Sequence, residues 1–192
     1  TATVWLDGRE VCRHSGPYLP FKVRITPWIR PGSSQTLIVR VSEETRLLQG
    51  PCKWPAFSGI FREVSLESTG KAWFDDVYIQ SSNNRGRVLV HLRLGCSMPR
   101  DVRAECLVRE LSGRMAASAS TSLSVRPGQE AHAHIPLDLE RPKPWSPDSP
   151  FLYECRLVLR CGELVTDARS VRFGLREFRT EGKRILLNEK PL

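Results

Sequence analysis

The chain has 192 residues, a formal net charge of +8, 40% hydrophobic side chains and 26% charged ones. That composition excludes a disordered or fibrous chain and bounds the answer at one or two globular domains. No apolar run approaches the roughly 20 residues of a membrane helix, and no leader-like segment opens the chain, so no membrane partner is expected.

The segments in chain order are almost all strands. Period-two alternation appears in "TATVWLDG" at the start, then in "FKVRIT", "TLIVRVSE" and "REVSLES". A long irregular connection, residues 43–57, separates the last two. Alternation resumes in "DVYIQSS", "RVLVHLRL", "VRAECLVREL", "SASTSLSV", "EAHAHIPLDL", "LYECRLVLR" and "DARSVRFG". Turn chemistry divides these runs at Asp7-Gly8, Pro31-Gly32, Asn83 to Gly86, Ser112-Gly113, Pro127-Gly128 and Cys161-Gly162. Each such strand buries one face, so a second sheet must cover it, and the fold class is all-β. The later runs supply the count of about seven strands and roughly 100 residues of one immunoglobulin-like sandwich. A boundary is expected near Ser68-Thr69-Gly70. The prolines of "ERPKPWSPDSP" stiffen an extended crossing, which Trp145 should anchor to the sandwich. The last stretch, Arg184 to Leu187, starts another apolar run before Asn188-Glu189-Lys190-Pro191 turns.

Arginines outnumber lysines, but they alternate along strands, as in "VRITPWIR", and form no basic run. A solvated basic face is expected, with no nucleic-acid partner. The six cysteines form no Cys-x-x-Cys pair, which argues against a zinc ribbon. Most lie in strand-like apolar context and read as buried free thiols, which favours a reducing, cytoplasmic compartment.

Few residues suggest chemistry. Glu43-Glu44 and Asp75-Asp76 are adjacent acids, but neighbours on a strand point to opposite faces, so both pairs read as surface charge. No nucleophile elbow or phosphate loop is present. His132 and His134 share one strand face and could begin a metal site. A third ligand is not evident from spacing, and His91 reads as an ordinary strand residue. The aromatic loops "HSGPYLPF" and "GPCKWPAFSGIF" are the better candidates, because rings above a β-sandwich can stack on the apolar face of a sugar. Phe21 and Phe61 are expected to plug the core. Trp54, with Lys53 beside it, and Tyr18 are the candidate substrate-binding residues.

The order of these pieces resembles glycoside hydrolase family 2, which includes β-galactosidases, β-glucuronidases and β-mannosidases. Asp7-Gly8, His14 to Tyr18, Pro20-Phe21 and Thr26 to Gly32 are similar to its sugar-binding domain. "FSGIFREVSLES" resembles its most specific signature, "PWSPDSPFLYECRLVL" its immunoglobulin-like domain, and "RFGLREFRTEGKRILLNEKPL" the approach to its catalytic barrel. The resemblance implies that residues 1–68 are the C-terminal part of a jelly-roll sugar-binding domain. Residues 69–175 would be the immunoglobulin-like sandwich, and 176–192 the opening segment of a TIM barrel that lies beyond the chain. The catalytic glutamates would lie on that barrel, so no catalytic residue, metal or cofactor is expected here; "GPCKWPAF" lacks the acid that the β-galactosidase branch uses for a metal. The implied function is an accessory portion that shapes the pocket for a terminal β-linked sugar and supports the barrel. A sandwich cut in this way should expose a strand edge and self-associate. Two departures are notable: Asp7 replaces the usual Asn, and Glu189 stands where the family often has Gly. A free-standing module for carbohydrates or polyanions is the alternative.

Overall fold

The structure is a computed structural model that describes residues 1–16, 19–42, 59–82 and 86–191. It divides into two compact units, Thr1–Leu66 and Glu67–Leu192.

In the first unit, β1 (Ala2–Leu6) and β2 (Arg9–His14) form a hairpin across the Asp7-Gly8 turn. Asp7 and Gly8 both take positive φ, +49° and +80°. This backbone twist suits a two-residue hairpin, and an Asp-Gly pair adopts it at little cost. The strand β3 (Leu37–Val41) pairs with the other side of β1, giving the order β2-β1-β3. Val4 and Leu6 are buried on the inner face. The expected strand 21–26 and the expected strand 62–68 are not part of any ladder. Alternation marks a two-faced extended segment, but a strand also needs a backbone ladder, and among the described residues neither segment is assigned to one. Accordingly Val64 and Leu66 are exposed. Phe61 is 69% exposed and not a core plug, whereas half-exposed Phe21 stacks on the His14 ring at 4.6 Å. Thr26–Trp28 form a 3-10 turn with Pro27 near its start.

The second unit contains β4 (Ala72–Ser82), β5 (Arg87–Cys96), β6 (Arg100–Glu110), β7 (Met115–Val125), β8 (Ala131–Asp138), β9 (Tyr153–Cys161) and β10 (Leu164–Phe173). They form two antiparallel sheets, ordered β4-β5-β8 and β10-β9-β6-β7. Strict alternation in β5 and β6 sends Val90, Leu92, Ala104 and Val108 inward. Phe74, Ile135, Leu157 and Leu159 complete the core between the sheets. All are 1% exposed or less, so the sheets are closely packed there.

Two bulges meet at one border of this sandwich. Asp75 is the extra residue of β4, and Thr166 is the extra residue of β10. The Phe74 N–H donates to the Asp167 carboxylate at 2.8 Å, and the Gly70 N–H donates to the Thr166 carbonyl at 3.0 Å. The bulge also changes one expectation about Asp75 and Asp76. Both are exposed: Asp76 opposes Arg93 in register, and Asp75 lies 2.8 Å from the Arg93 Nε. They are surface charges, but the bulge removes the strict opposition of neighbouring side chains.

The proline-rich crossing runs back over the sandwich. Tyr153 is fully buried between Phe151 and Phe173, and its hydroxyl accepts the Lys143 N–H at 2.9 Å. Trp145 lies on Gly174, as an anchor should, and its N–H donates to the Leu175 carbonyl. Beyond the sandwich, β11 (Phe178–Glu181), β12 (Arg184–Leu187) and β13 (Lys190–Pro191) form a small meander. Asn188 and Glu189 take φ of +50° and +68°. Glu189 therefore adopts the left-handed turn in which glycine meets no Cβ conflict.

The described cysteines are free, and Cys96, Cys106 and Cys155 are buried. Cys106 and Cys155 bring their Sγ atoms to 3.3 Å on neighbouring strands. Their shared hydrogen bond and burial push the Cys155 thiol well above the ordinary cysteine range, so it stays protonated.

Candidate functional site

Trp54, Lys53 and Tyr18 all lie outside the described residues, as do Glu43, Glu44 and Cys52. The described residues show the following polar clusters in each unit.

In the first unit one such cluster is centred on Asp7. Its carboxylate accepts the Thr36 N–H and the Gln35 Nε2–H, each at 2.8 Å, and forms an ion pair with Arg30. Gln35 also donates to the Trp28 carbonyl, and its Oε1 accepts the Arg30 N–H. The Arg9 guanidinium lies 5.2 Å from the Trp28 ring centre. One turn residue thus ties the β1–β2 hairpin to the segment 28–36. The Thr36 N–H, Gln35 and Arg30 hold the Asp7 carboxyl below the usual carboxylate range. An asparagine would keep the turn but not the ion pair, so the departure from Asn-Gly at this position couples it to Arg30.

His14 ends β2, opposite Ala2 at the far end of the hairpin from Asp7. Its Nε2 is buried and has no hydrogen-bond partner among the described residues. Its ring stacks on Phe21 at an interplanar angle of 12°.

In the second unit the buried carboxylate is Glu110, at the end of β6, with a side chain 6% exposed. Burial alone would raise its pKa. Lys143 at 3.1 Å and Arg114 at 2.9 Å outweigh that and hold it low. Lys143 also sits 4.6 Å above Phe151. Glu110 therefore joins the β6–β7 turn to the proline-rich crossing. A general acid must hold a proton near neutral pH. Asp7 and Glu110 are both held below the usual carboxylate range by the donors and cations around them, so each links segments within its own unit as an ionised group.

At the chain's later end, Asn188 clasps two segments. Its Nδ2–H donates to the Trp145 carbonyl at 2.8 Å, and its Oδ1 accepts the Glu177 N–H at 3.0 Å. The Arg176 guanidinium covers the Trp145 ring at 5.5 Å. Sequence reading found the anchor Trp145 but missed Asn188, whose only signal was an Asn in a turn.

One consequence of the Asp7 cluster is measurable. A depressed native pKa adds stability above the unfolded value, near 3.9, and that stability is lost as pH falls through the native pKa. Asp7→Asn should therefore melt at a lower temperature than the parent at pH 7. The gap should close as the pH is taken from about 4 downward. Calorimetry at a series of pH values checks it, and an equal gap at pH 3 would show that the carboxylate charge is not what stabilises the turn.

The described residues thus define an all-β chain whose Asp7 and Glu110 carboxylates are held by nearby donors and cations. The model of the family described as Glycosyl hydrolases family 2 matches residues 73–176, just over half of the chain, and the chain belongs to that family. It is 25% identical to a β-galactosidase of Thermoanaerobacter pseudethanolicus over 198 residues, covering all of this chain and 26% of that protein. It is also 25% identical to a β-glucuronidase of Paenibacillus borealis, covering 97% of this chain and 33% of that one. Among solved structures, a glycosyl hydrolase family 2 member from Bacteroides cellulosilyticus superposes with a TM-score of 0.88 at 24% identity. That likeness in fold spans all of this chain and 27% of the solved one. A Bacteroides uniformis β-glucuronidase gives a TM-score of 0.84 at 20% identity, again over all of this chain and 25% of that one. The chain therefore spans about a quarter to a third of the length of these relatives.

Proposed function

We infer that this chain is the non-catalytic accessory portion of a family 2 exo-glycosidase acting on terminal β-linked sugars. The observation that carries this reading is coverage: relatives named β-galactosidase and β-glucuronidase match the whole chain with about a quarter to a third of their own length. In this reading residues 1–68 are the C-terminal part of a jelly-roll sugar-binding domain and residues 69–175 an immunoglobulin-like sandwich. Residues 176–192 lead into a catalytic TIM barrel. Retaining hydrolysis needs two carboxyl groups about 5 to 5.5 Å apart, one as acid/base and one as nucleophile. The barrel would supply both. The present chain would shape the pocket and support the barrel, with Trp54, Lys53 and Tyr18 touching the sugar.

The Asn188 clasp supports this assignment of roles. It fixes the segment after β10 against the sandwich, which a domain that positions a following barrel requires. The exposed Leu37, Ile38 and Val41 of β3, an edge strand among the described residues, also fit the reading, since they could pack against further chain or a second copy.

The test is to incubate the purified 192-residue chain with aryl β-galactosides, β-glucuronides and β-mannosides. No turnover above the buffer rate is expected. Turnover that persists after repeated purification would overturn the reading. The alternative, a free-standing module, is separated by titration with oligosaccharides and heparin. Weak or absent binding supports the accessory role, whereas tight heparin binding that falls steeply with salt supports a polyanion module. The structure gives a reason to expect the former. The facing arginines Arg103 and Arg160 of the outer sheet surface are both engaged by Glu105, at 3.7 and 3.2 Å.

A further inference from the structure

Three of the chain's four histidines meet on one surface, the outer face of sheet β4-β5-β8. His91 of β5 pairs directly with His134 of β8, and His132 lies two residues along β8 on the same face. The His91 and His134 ring centres are 4.8 Å apart, edge to face. Directly opposed residues on antiparallel strands have Cβ atoms about 4.5–5.5 Å apart, and alternate residues of one strand are roughly 7 Å apart. Imidazoles at both separations can reach a common ion by side-chain rotation.

We propose that His91, His134 and His132 form a surface site for a borderline divalent transition ion such as Zn²⁺ or Ni²⁺. This inference is independent of the glycosidase reading, and it differs from the loop metal that the sequence analysis excluded. Imidazole nitrogen suits these ions, whereas Mg²⁺ and Ca²⁺ prefer oxygen.

Hydrogen bonding already favours ligation. A metal-binding imidazole must present a bare lone pair, and its other nitrogen usually donates to a carboxylate or carbonyl. The His91 Nε2 lies 3.0 Å from the Gln80 Oε1, and the His132 Nε2 lies 3.3 Å from the Glu130 carboxylate. Both partners are acceptors, and the tautomer in which each Nε2–H donates to them leaves the lone pair on Nδ1. Arg93 pairs opposite His132, and Asp75 engages it at 2.8 Å. Tyr78 flanks the other side of His91 at 5.7 Å. Among the described residues no three ligand side chains yet converge at metal distance, so binding requires the rings to turn. The exposed positions of His132 and His134 leave them free to do so.

The test uses the untagged 192-residue chain, titrated with Ni²⁺ and Zn²⁺ by calorimetry while the histidine ring protons are followed by NMR. One ion per chain should bind, with His91, His132 and His134 responding and His14 unaffected; Mg²⁺ should give no response. His134→Ala and His91→Ala should each weaken binding at least tenfold. Gln80→Ala should weaken it about tenfold without lowering the melting temperature, since Gln80 acts by positioning the His91 ring. Absence of binding at millimolar Ni²⁺, or undiminished binding in the folded His91→Ala/His134→Ala double variant, would overturn the proposal.

Discussion

Phe74→Ala is expected to lower the unfolding free energy of the second unit by about 3–5 kcal/mol, the usual cost of removing a fully buried aromatic ring. Phe74 is 0% exposed and sits where the bulge of β4 begins. Removal of the ring would leave a cavity between the sheets, and the strand could close it only by moving away from the Asp167 carboxylate. Denaturant titration followed by tryptophan fluorescence measures the effect as a shift of the midpoint at unchanged slope. A loss under about 1 kcal/mol would mean that the ring is not part of a close-packed core.

Gly174→Ala comes next in size. A Cβ added at Gly174 would lie 2.7 Å from the Trp145 Cβ and 2.8 Å from its Cγ. Those atoms are the root of the indole side chain and cannot swing aside, so Trp145 must leave the surface of the sandwich. The direct cost should be about 1–3 kcal/mol, as for other overpacked sites. A second effect follows from the clasp. Displacement of Trp145 takes its carbonyl from the Asn188 amide and its ring from Arg176. The segment from Arg176 to Lys190 should then be cut by trypsin sooner than in the parent, with the sandwich itself left intact. Parent-like stability together with parent-like proteolysis would contradict the described packing of Trp145.

The sandwich was legible in the sequence because β4 to β10 alternate cleanly and are separated by turn residues. In β5 and β6 the alternate apolar positions are the buried ones. Family motifs made the relationship legible as well. Segments 21–26 and 62–68 are not assigned to a strand ladder among the described residues; alternation reports two faces and does not by itself specify a ladder. The short β2, "REVCRH", was missed because charged residues break its pattern. Partnerships across strands were hidden for a related reason. Nothing in the spacing of His91 and His134 announces that they are opposed, and the same is true of Cys106 and Cys155. The candidate sugar contacts rest on residue type and loop context, and Trp54, Lys53 and Tyr18 lie outside the described residues. Asp7 is the instructive case: its turn role was plain from Asp-Gly, but its bond to Arg30 depends on a chain reversal 23 residues later.

The paired bulges of β4 and β10 have an implication for solubility. A flat sheet margin offers a row of vacant donors and acceptors to any passing chain. Here the kink at Asp75 turns the Phe74 N–H onto a carboxylate, and the kink at Thr166 gives its carbonyl to Gly70. A stranger arriving at that margin finds those groups occupied and the backbone bent out of line, so the seven-stranded sandwich is guarded against fibril-like stacking on that side.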